Sequence, residues 1–266
     1  MKIVHFNSGL GNQIFQLMFA RYMESKGKHV IGYYNKKWLQ QHNGLEVNKV
    51  IDGKLPPATL ISNIIVVFCR FMHRFDQKGV FFSSDYNYNE NGVYYSGYWQ
   101  NKRYFEHLSK PSFRKFNLSE RNYKIQQEMR ESQSVSIHIR RGDYLSPDVI
   151  ANMGNICTLE YYKKAIDIVK QKMDSPKFFV FSDDISWART NFHENNMCFV
   201  DWNTGKDSYL DMYLMAQCKA HIIANSSFSF WGAYLSKENF ITIYPAKWCN
   251  LQESPDIAPL DWISIS

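Results

Sequence analysis

Ser134-Val135-Ser136-Ile137-His138-Ile139-Arg140-Arg141-Gly142-Asp143-Tyr144 begins as an apolar run of strand length and breaks off into charge and a glycine. The run over 134–139 predicts a buried strand, because it is short, β-branched and closed by turn-forming residues. Downstream the pattern repeats, with strands over 177–182, 197–201, 221–225 and 240–244. Between them lie helical periods over about 158–173, 185–194, 207–219 and 228–236. Thr158 suits the N-cap of the first of these helices, and Tyr162, Ile166, Val169 and Met173 give it one apolar face. Short strands alternating with helices predict a parallel sheet covered on both sides.

Toward the N-terminus, residues 2–6 read as a strand, Ser8-Gly9-Leu10-Gly11 as a turn, and Ile14, Phe15, Met18, Phe19, Tyr22 and Met23 as one face of a helix. A second strand over 29–34 completes a β-α-β opening. Between 35 and 120, Pro56-Pro57 breaks the chain, Leu60 to Phe75 has helical character, and Val93 to Trp99 reads as an aromatic strand. The fold class is therefore α/β, divided into domains at 1–130 and 131–266, each long enough to bury a core.

The chain carries 31 Lys+Arg against 25 Asp+Glu, a net charge of +6 spread without a stripe. Such an excess favours anionic ligands in general and argues against nucleic acid as the partner. The five cysteines, Cys69, Cys157, Cys198, Cys218 and Cys249, are widely spaced, with neither a CxxC pair nor a histidine at zinc-ligand distance. They read as reduced thiols of a cytoplasmic protein. No secretory h-region precedes the first strand. Leu60 to Met72 is too short to span a bilayer and reads as a core helix, although Arg70, His73 and Arg74 beside it leave peripheral contact with the inner face of a membrane as the rival reading.

Ligands of open parallel sheets bind beyond the carboxyl ends of the strands, and three polar clusters fall there. His138 to Tyr144 ends one strand, Ser182-Asp183-Asp184 another, and Asn225-Ser226-Ser227 a third before opening a helix. Guanidinium forks and helix N-termini both suit phosphate oxygens, so a nucleotide diphosphate is the economical ligand. Each cluster also has a plainer reading. Arg-Arg-Gly-Asp is a common solvated turn with a local ion pair, Ser226 and Ser227 are ordinary helix caps, and Asp183-Asp184 can cap the helix that follows.

Taken in order, Gly9 to Gln16, Ser96-Gly97-Tyr98-Trp99-Gln100, His138 to Tyr144, Phe181 to Asp184, and Asp211 to Met215 running into Ile223 to Gly232 resemble the α-1,2-fucosyltransferases, glycosyltransferase family 11, in a form like its bacterial members. The resemblance covers nearly the whole chain. It implies two Rossmann-like domains facing across a cleft, a GT-B-like arrangement, with GDP-fucose on the C-terminal domain and a β-galactoside-terminated acceptor on the N-terminal one. Carried over residue by residue, it implies that Arg140 grips the β-phosphate, that His138 and Asp211 contact guanosine, and that Ser226 or Ser227 binds phosphate. Arg141, Asp183 and Asn225 complete the donor set, and Asn12, Gln13, Tyr98 and Trp99 are the acceptor candidates. Asp211 also reads as a first-turn acid favourable to the helix dipole. Tyr94, Tyr95, Tyr98 and Trp99 could stack on a galactose face, yet aromatic residues at strand spacing are more often core.

Cleaving the bond between fucose C1 and GDP builds charge on the diphosphate. The sequence has no D-x-D pair to hold a divalent ion, so Arg140 and helix N–H groups near Ser226 are expected to supply that potential without a metal or other cofactor. Attack on β-linked GDP-fucose would invert C1. Asp143 and His138 are both candidates for the general base, and Asp143 reads equally as the structural partner of an arginine. A nicotinamide oxidoreductase fails because Ile14 replaces the third glycine of the fingerprint and no acid closes the next strand. A hydrolase built on Ser226, His138 and Asp143 lacks the nucleophile elbow. A non-catalytic nucleotide-sugar sensor and a fucosyltransferase of other linkage remain as alternatives.

Overall fold

Lys2–Phe6, every residue buried, forms β1 of the first sheet in the computed structural model, which describes residues 1–40 and 42–266. The turn after it leads into α1 (Leu10–Ser25), whose Ile14, Phe15, Met18 and Phe19 pack inward as the periodicity requires. Then follow β2 (Val30–Tyr34), α2 (Lys36–Leu39), α3 (Val47–Val50), α4 (Leu60–Met72), β3 (Phe82–Ser83) and β4 (Tyr94–Tyr95). The strands lie in the order β2-β1-β4-β3, all parallel.

Thr59 caps α4 by accepting from the Ser62 amide at 3.0 Å, and the Ser62 hydroxyl receives the Thr59 amide in return at 3.3 Å. Ser62, Val66 and Cys69 form the buried face. The core-helix expectation holds for that face only, since the opposite face is solvent-exposed and equally apolar. With apolar side chains on both faces and polarity confined to Ser62, Asn63 and Arg70, the helix has no single apolar stripe to reveal which side is covered.

The second unit begins with α5 (Glu120–Glu131) and the fully buried β5 (Ser134–Ile139). It continues through α6 (Ile150–Met153), α7 (Leu159–Lys172), β6 (Lys177–Ser182), α8 (Ile185–Asn191), β7 (Met197–Val200), α9 (Tyr209–Met215), β8 (Ala220–Ile222), α10 (Ser227–Tyr234), β9 (Ile241–Pro245) and β10 (Ile263–Ile265). Six parallel strands lie in the order β10-β9-β8-β5-β6-β7. β5 pairs with β6 along its whole length, from Ser134 opposite Lys177 to Ile139 opposite Ser182. Tyr162, Ile166 and Val169 of α7 pack on Val135, Ile137, Val180 and Ile222.

The chain divides at Arg114/Lys115, earlier than the 130/131 boundary read from sequence. The reason lies in α5: Asn122 pairs with Asn203, and Gln126 donates to the Tyr213 hydroxyl on α9 at 2.6 Å, so α5 belongs to the second unit. Among the described residues no helix is long and apolar enough to cross a membrane, and the five cysteines are free.

Candidate functional site

From β5 the chain adds β6 and β7 on one side of the sheet, then returns to lay β8, β9 and β10 on the other. The carboxyl ends of β5 and β8 therefore diverge, and a crevice opens at this switch point. A cavity of about 200 Å³ lies there, lined in part by Arg140, Arg141, Tyr144, Cys157, Thr158 and Asn225. Its volume is below the ~300–1,000 Å³ of ordinary ligand pockets, enough for a sugar or a diphosphate but not for both with a base.

Arg140 bridges two acids, with one terminal nitrogen 2.8 Å from Asp143 and the other 3.1 Å from Asp183. Burial opposes its charge, but the pull of Asp183 and Asp143 outweighs burial and raises its pKa. Asp183 also accepts from the amides of Arg141, at 2.9 Å, and Gly142, at 3.1 Å, and so clasps the loop after β5. A side chain at position 142 would put its Cβ 2.8 Å from that carboxylate, which explains the glycine. Arg141 donates to Asp184 at 3.2 Å and lies over the Trp187 ring at 4.1 Å, while Asp184 caps α8 through the Trp187 amide. The capping reading of Asp183-Asp184 thus holds for Asp184, whereas Asp183 braces the arginine loop.

The other expected donor residues are placed unequally. Asn225 is buried, and its amide donates to the Met153 and Trp248 carbonyls, both at 3.1 Å, and accepts from the Cys157 thiol. With both donors engaged, it is a scaffold for the cavity wall. Ser226 stands at the N-cap of α10 with no side-chain cap bond, so the first-turn amides of that helix are not claimed by its hydroxyl, and Ser227 opens the helix. Asp211 does not line the cavity. It sits in a polar network in which Asn203 donates to it at 2.8 Å and Asn122 and Trp202 complete the chain of bonds. Burial, partly offset by the Asn203 bond, pushes its carboxyl up to about 7.

His138 corrects an expectation. Its side chain faces the interior against Phe228 on α10, with rings 5.7 Å apart, and Nδ1 has no partner. Burial first, and then the nearby Arg140 charge, push its pKa down to about 3. A general base works best with a pKa near the operating pH, so His138 is unsuited to that role. Asp143 is half exposed and is the remaining candidate. Burial pushes the Cys157 thiol up to about 12, which leaves it neutral and no nucleophile.

In the first unit the acceptor candidates separate sharply. Gln13 is fully buried, donating to the Ser8 and Gly44 carbonyls and accepting from the Glu46 and Val47 amides, so all four of its amide positions serve the backbone. Trp99 is 1% exposed and stacks on Phe19 at 4.0 Å. Both are structural, which overturns their reading as acceptor contacts. Tyr94 and Tyr95 are likewise core. Asn12 is half-buried and accepts from Gln100 at 2.8 Å. Tyr98 is 44% exposed and its hydroxyl accepts from Ser8 at 3.3 Å.

The model of the family described as Glycosyl transferase family 11 matches residues 74–266. The chain belongs to this family. It is similar to the alpha-1,2-colitosyltransferase of Escherichia coli, at 34% identity over 99% of this chain and 98% of that protein. It is also similar to the O-antigen biosynthesis glycosyltransferase WbnK of Escherichia coli, 35% identical over 50% of this chain and 44% of that one. Galactoside alpha-(1,2)-fucosyltransferase 2 of Rattus norvegicus is 33% identical over 46% of this chain and 34% of its own length. The solved E. coli ADP-heptose lps heptosyltransferase II aligns with a TM-score of 0.45 at 10% identity, over 100% of this chain and 90% of that one.

This glycosyltransferase thus has its cationic residues at the switch point of its second sheet. Tyr162 is legible in the sequence as buried helix face and Tyr144 as the end of the arginine cluster, but the bonds by which these tyrosines and Tyr161 clamp the crevice are not. Tyr162 donates to the His138 carbonyl at 3.1 Å, Tyr161 to that of Ile223 at 2.6 Å, and Tyr144 to that of Asn225 at 2.9 Å. Apolar periodicity places the α7 tyrosines in a core and is silent about where their hydroxyls reach.

Proposed function

We propose that this family 11 transferase moves L-fucose from GDP-fucose to the 2-hydroxyl of a terminal β-galactoside, inverting C1 without a metal ion. The observation that carries this reading is Arg140, held between Asp143 and Asp183 at the mouth of the switch-point cavity. An entering diphosphate competes with Asp143 for the guanidinium, since phosphate oxygens match the same fork. Displaced from its cation, Asp143 becomes free to accept the proton of the attacking hydroxyl, while Arg140 stabilises charge on the leaving diphosphate. Asp183 and Asp184, which share the rim with Asp143, are occupied by the arginines and loop amides. Asp211, raised by burial and bonded on one oxygen, suits a guanine edge that would draw its carboxylate form.

A second donor is favoured by one specific finding: the relative matched over 98% of its length is an alpha-1,2-colitosyltransferase. Colitose is fucose without the 3-hydroxyl, so the two readings differ by one polar group on the donor. The purified protein, stripped of metal and assayed in excess EDTA with GDP-fucose or GDP-colitose and a β-galactoside, should give an α-1,2-linked product resolved by linkage analysis. Transfer that disappears under EDTA and returns with magnesium or manganese would overturn the arginine mechanism. Preference for GDP-colitose would replace the fucose reading, and a product of other linkage would replace the 2-hydroxyl. GDP should also raise the melting temperature more than ADP or UDP, because a ligand that binds only the folded state stabilises it by mass action.

A further inference from the structure

The outer face of α4 is unlike the rest of the surface. Ile61, Ile64, Val67, Phe68 and Phe71 recur at intervals of three and four, placing them along one side of the helix, Phe75 follows in the turn beyond it, and each of the six is at least half exposed. The inner side is occupied by Ser62, Val66 and Cys69, so this outer stripe is not needed for the unit's own core. Contiguous exposed apolar stripes mark places where something docks.

Charge around the stripe selects the occupant. From Lys54 to Phe75 the sequence contains no acid, while Arg70, His73 and Arg74 follow one another on and beyond the last turn. Arg70 lies 6.0 Å from the Trp38 ring, which joins to this end of α4 the exposed Lys36, Lys37 and Trp38 of α2. The nearest following acid, Asp76, is engaged by the Val80 and Phe82 amides. Two-fold pairing with a second copy would set one cationic, acid-free face against another. An anionic lipid surface instead takes the apolar side chains at the acyl boundary and the cations among its phosphates, with Trp38 at headgroup level.

We propose that α4, with the basic end of α2, docks this protein flat onto a bilayer that carries anionic lipid. Thirteen residues cannot span the hydrocarbon, so the helix lies in the interface plane. The proposal does not depend on which sugar is transferred, because its test reads membrane binding and not catalysis.

The full chain is floated with vesicles of phosphatidylcholine containing phosphatidylglycerol, and with vesicles of phosphatidylcholine alone. Wild type is expected to rise with the anionic vesicles, and less so in high salt. Replacing both Ile64→Asp and Phe71→Asp should lower the bound fraction about tenfold or more. Arg74→Gln should weaken anionic binding about fivefold, as expected for one cation near such a surface. All variants should keep the wild-type melting temperature and transfer to a soluble acceptor, since these side chains are exposed. Protein that stays with the aqueous phase in every case would overturn the proposal, as would flotation unchanged by Ile64→Asp with Phe71→Asp. A dimer seen by sedimentation that the same substitutions dissolve would assign the face to a second copy instead.

Discussion

In both units the chain reverses its direction of strand addition near the sheet centre, between β1 and β4 in the first and between β5 and β8 in the second. The two crevices are finished with different chemistry. In the first, the side chains at the rim are amides that bond to one another and to the backbone: Gln16 joins Asn7 to the Gly97 carbonyl, Gln13 ties down the loop before α3, and Asn12 meets Gln100. In the second, Arg140 and Arg141 stand among Asp143, Asp183 and Asp184. Satisfied amide networks fix a shape and leave little to exchange. Ion pairs at a partly exposed rim are weakly held and can be traded for a ligand's oxygens. The first sheet thus offers a neutral contoured surface, and the second offers paired guanidiniums that an anion can claim by displacing a carboxylate.

The largest effect should follow from altering that exchangeable charge. Arg140→Lys keeps the charge and loses the fork that meets two carboxylates at once. Turnover is expected to fall by roughly 10²–10³, the scale for removing one preorganised donor at a developing charge. Melting without ligand should barely change, since lysine keeps the charge beside both carboxylates and ion pairs at a partly exposed rim contribute only about 0–1 kcal/mol. A folded variant within a few-fold of wild-type turnover would reduce Arg140 to a loop brace and erase the functional contrast between the crevices.

Adjacent residues sharpen the comparison on the first sheet. Trp99→Ala removes a ring stacked on Phe19 in the core and should cost about 3–5 kcal/mol of stability by denaturant titration. Tyr98→Ala, at an exposed ring, should stay within about 0.5 kcal/mol of wild type and raise the acceptor KM instead. If Tyr98→Ala leaves acceptor KM alone, the exposed ring is no acceptor platform.

The contrast between the crevices was only half legible in the residues. Strands 134–139 and 177–182 stand where the apolar runs put them, because a buried parallel strand leaves a continuous signal. β3 and β10 escaped notice because two or three residues carry no period, and α9 is shorter at both ends than its apolar pattern suggests. Arg140 and Arg141 were visible as charge at a strand end. Gln13 and Trp99 sit in motifs with Asn12 and Tyr98, and nothing in residue type separates an amide facing a ligand from one facing four backbone groups. His138 was misjudged for the same reason: both faces of β5 are covered, so its ring is buried against α10, but a motif full of polar residues hides that.

Asp211 makes the comparison depend on pH. Its carboxyl titrates near 7 in the folded chain, raised by burial against the Asn203 bond, and near 3.8 when exposed. Between those values the folded protein holds a proton that the unfolded chain has released. The stability contributed here is therefore full below about pH 4 and is lost as pH rises toward 7. Asp211→Asn should flatten that part of the stability curve. Binding of GDP should run the other way, strengthening about tenfold per unit up to about pH 7 if guanine draws the ionised form. Calorimetry showing GDP affinity independent of pH across this range would remove Asp211 from the donor site while leaving the Arg140 cavity intact.

His138 should give the smallest effect, and the size of that effect separates a scaffold from a base. The ring is enclosed, its pKa is pushed down to about 3, and Nδ1 has no partner, so it has neither the basicity nor the exposure to take a proton from an acceptor. Its backbone carbonyl, not its ring, is what Tyr162 holds at the end of β5. His138→Gln should therefore keep turnover within a few-fold of wild type and leave the acidic limb of the pH–rate profile unmoved. Loss of a true general base costs about 10²–10⁴ and reshapes that limb. Asp143→Asn, by contrast, should lower turnover on that scale and at the same time tighten the hold of Arg140 on GDP, because the carboxylate that competes with the diphosphate is gone. If instead His138→Gln abolishes transfer in a folded protein while Asp143→Asn is tolerated, proton transfer belongs to the buried imidazole, and the exchange of Asp143 for phosphate has no catalytic role.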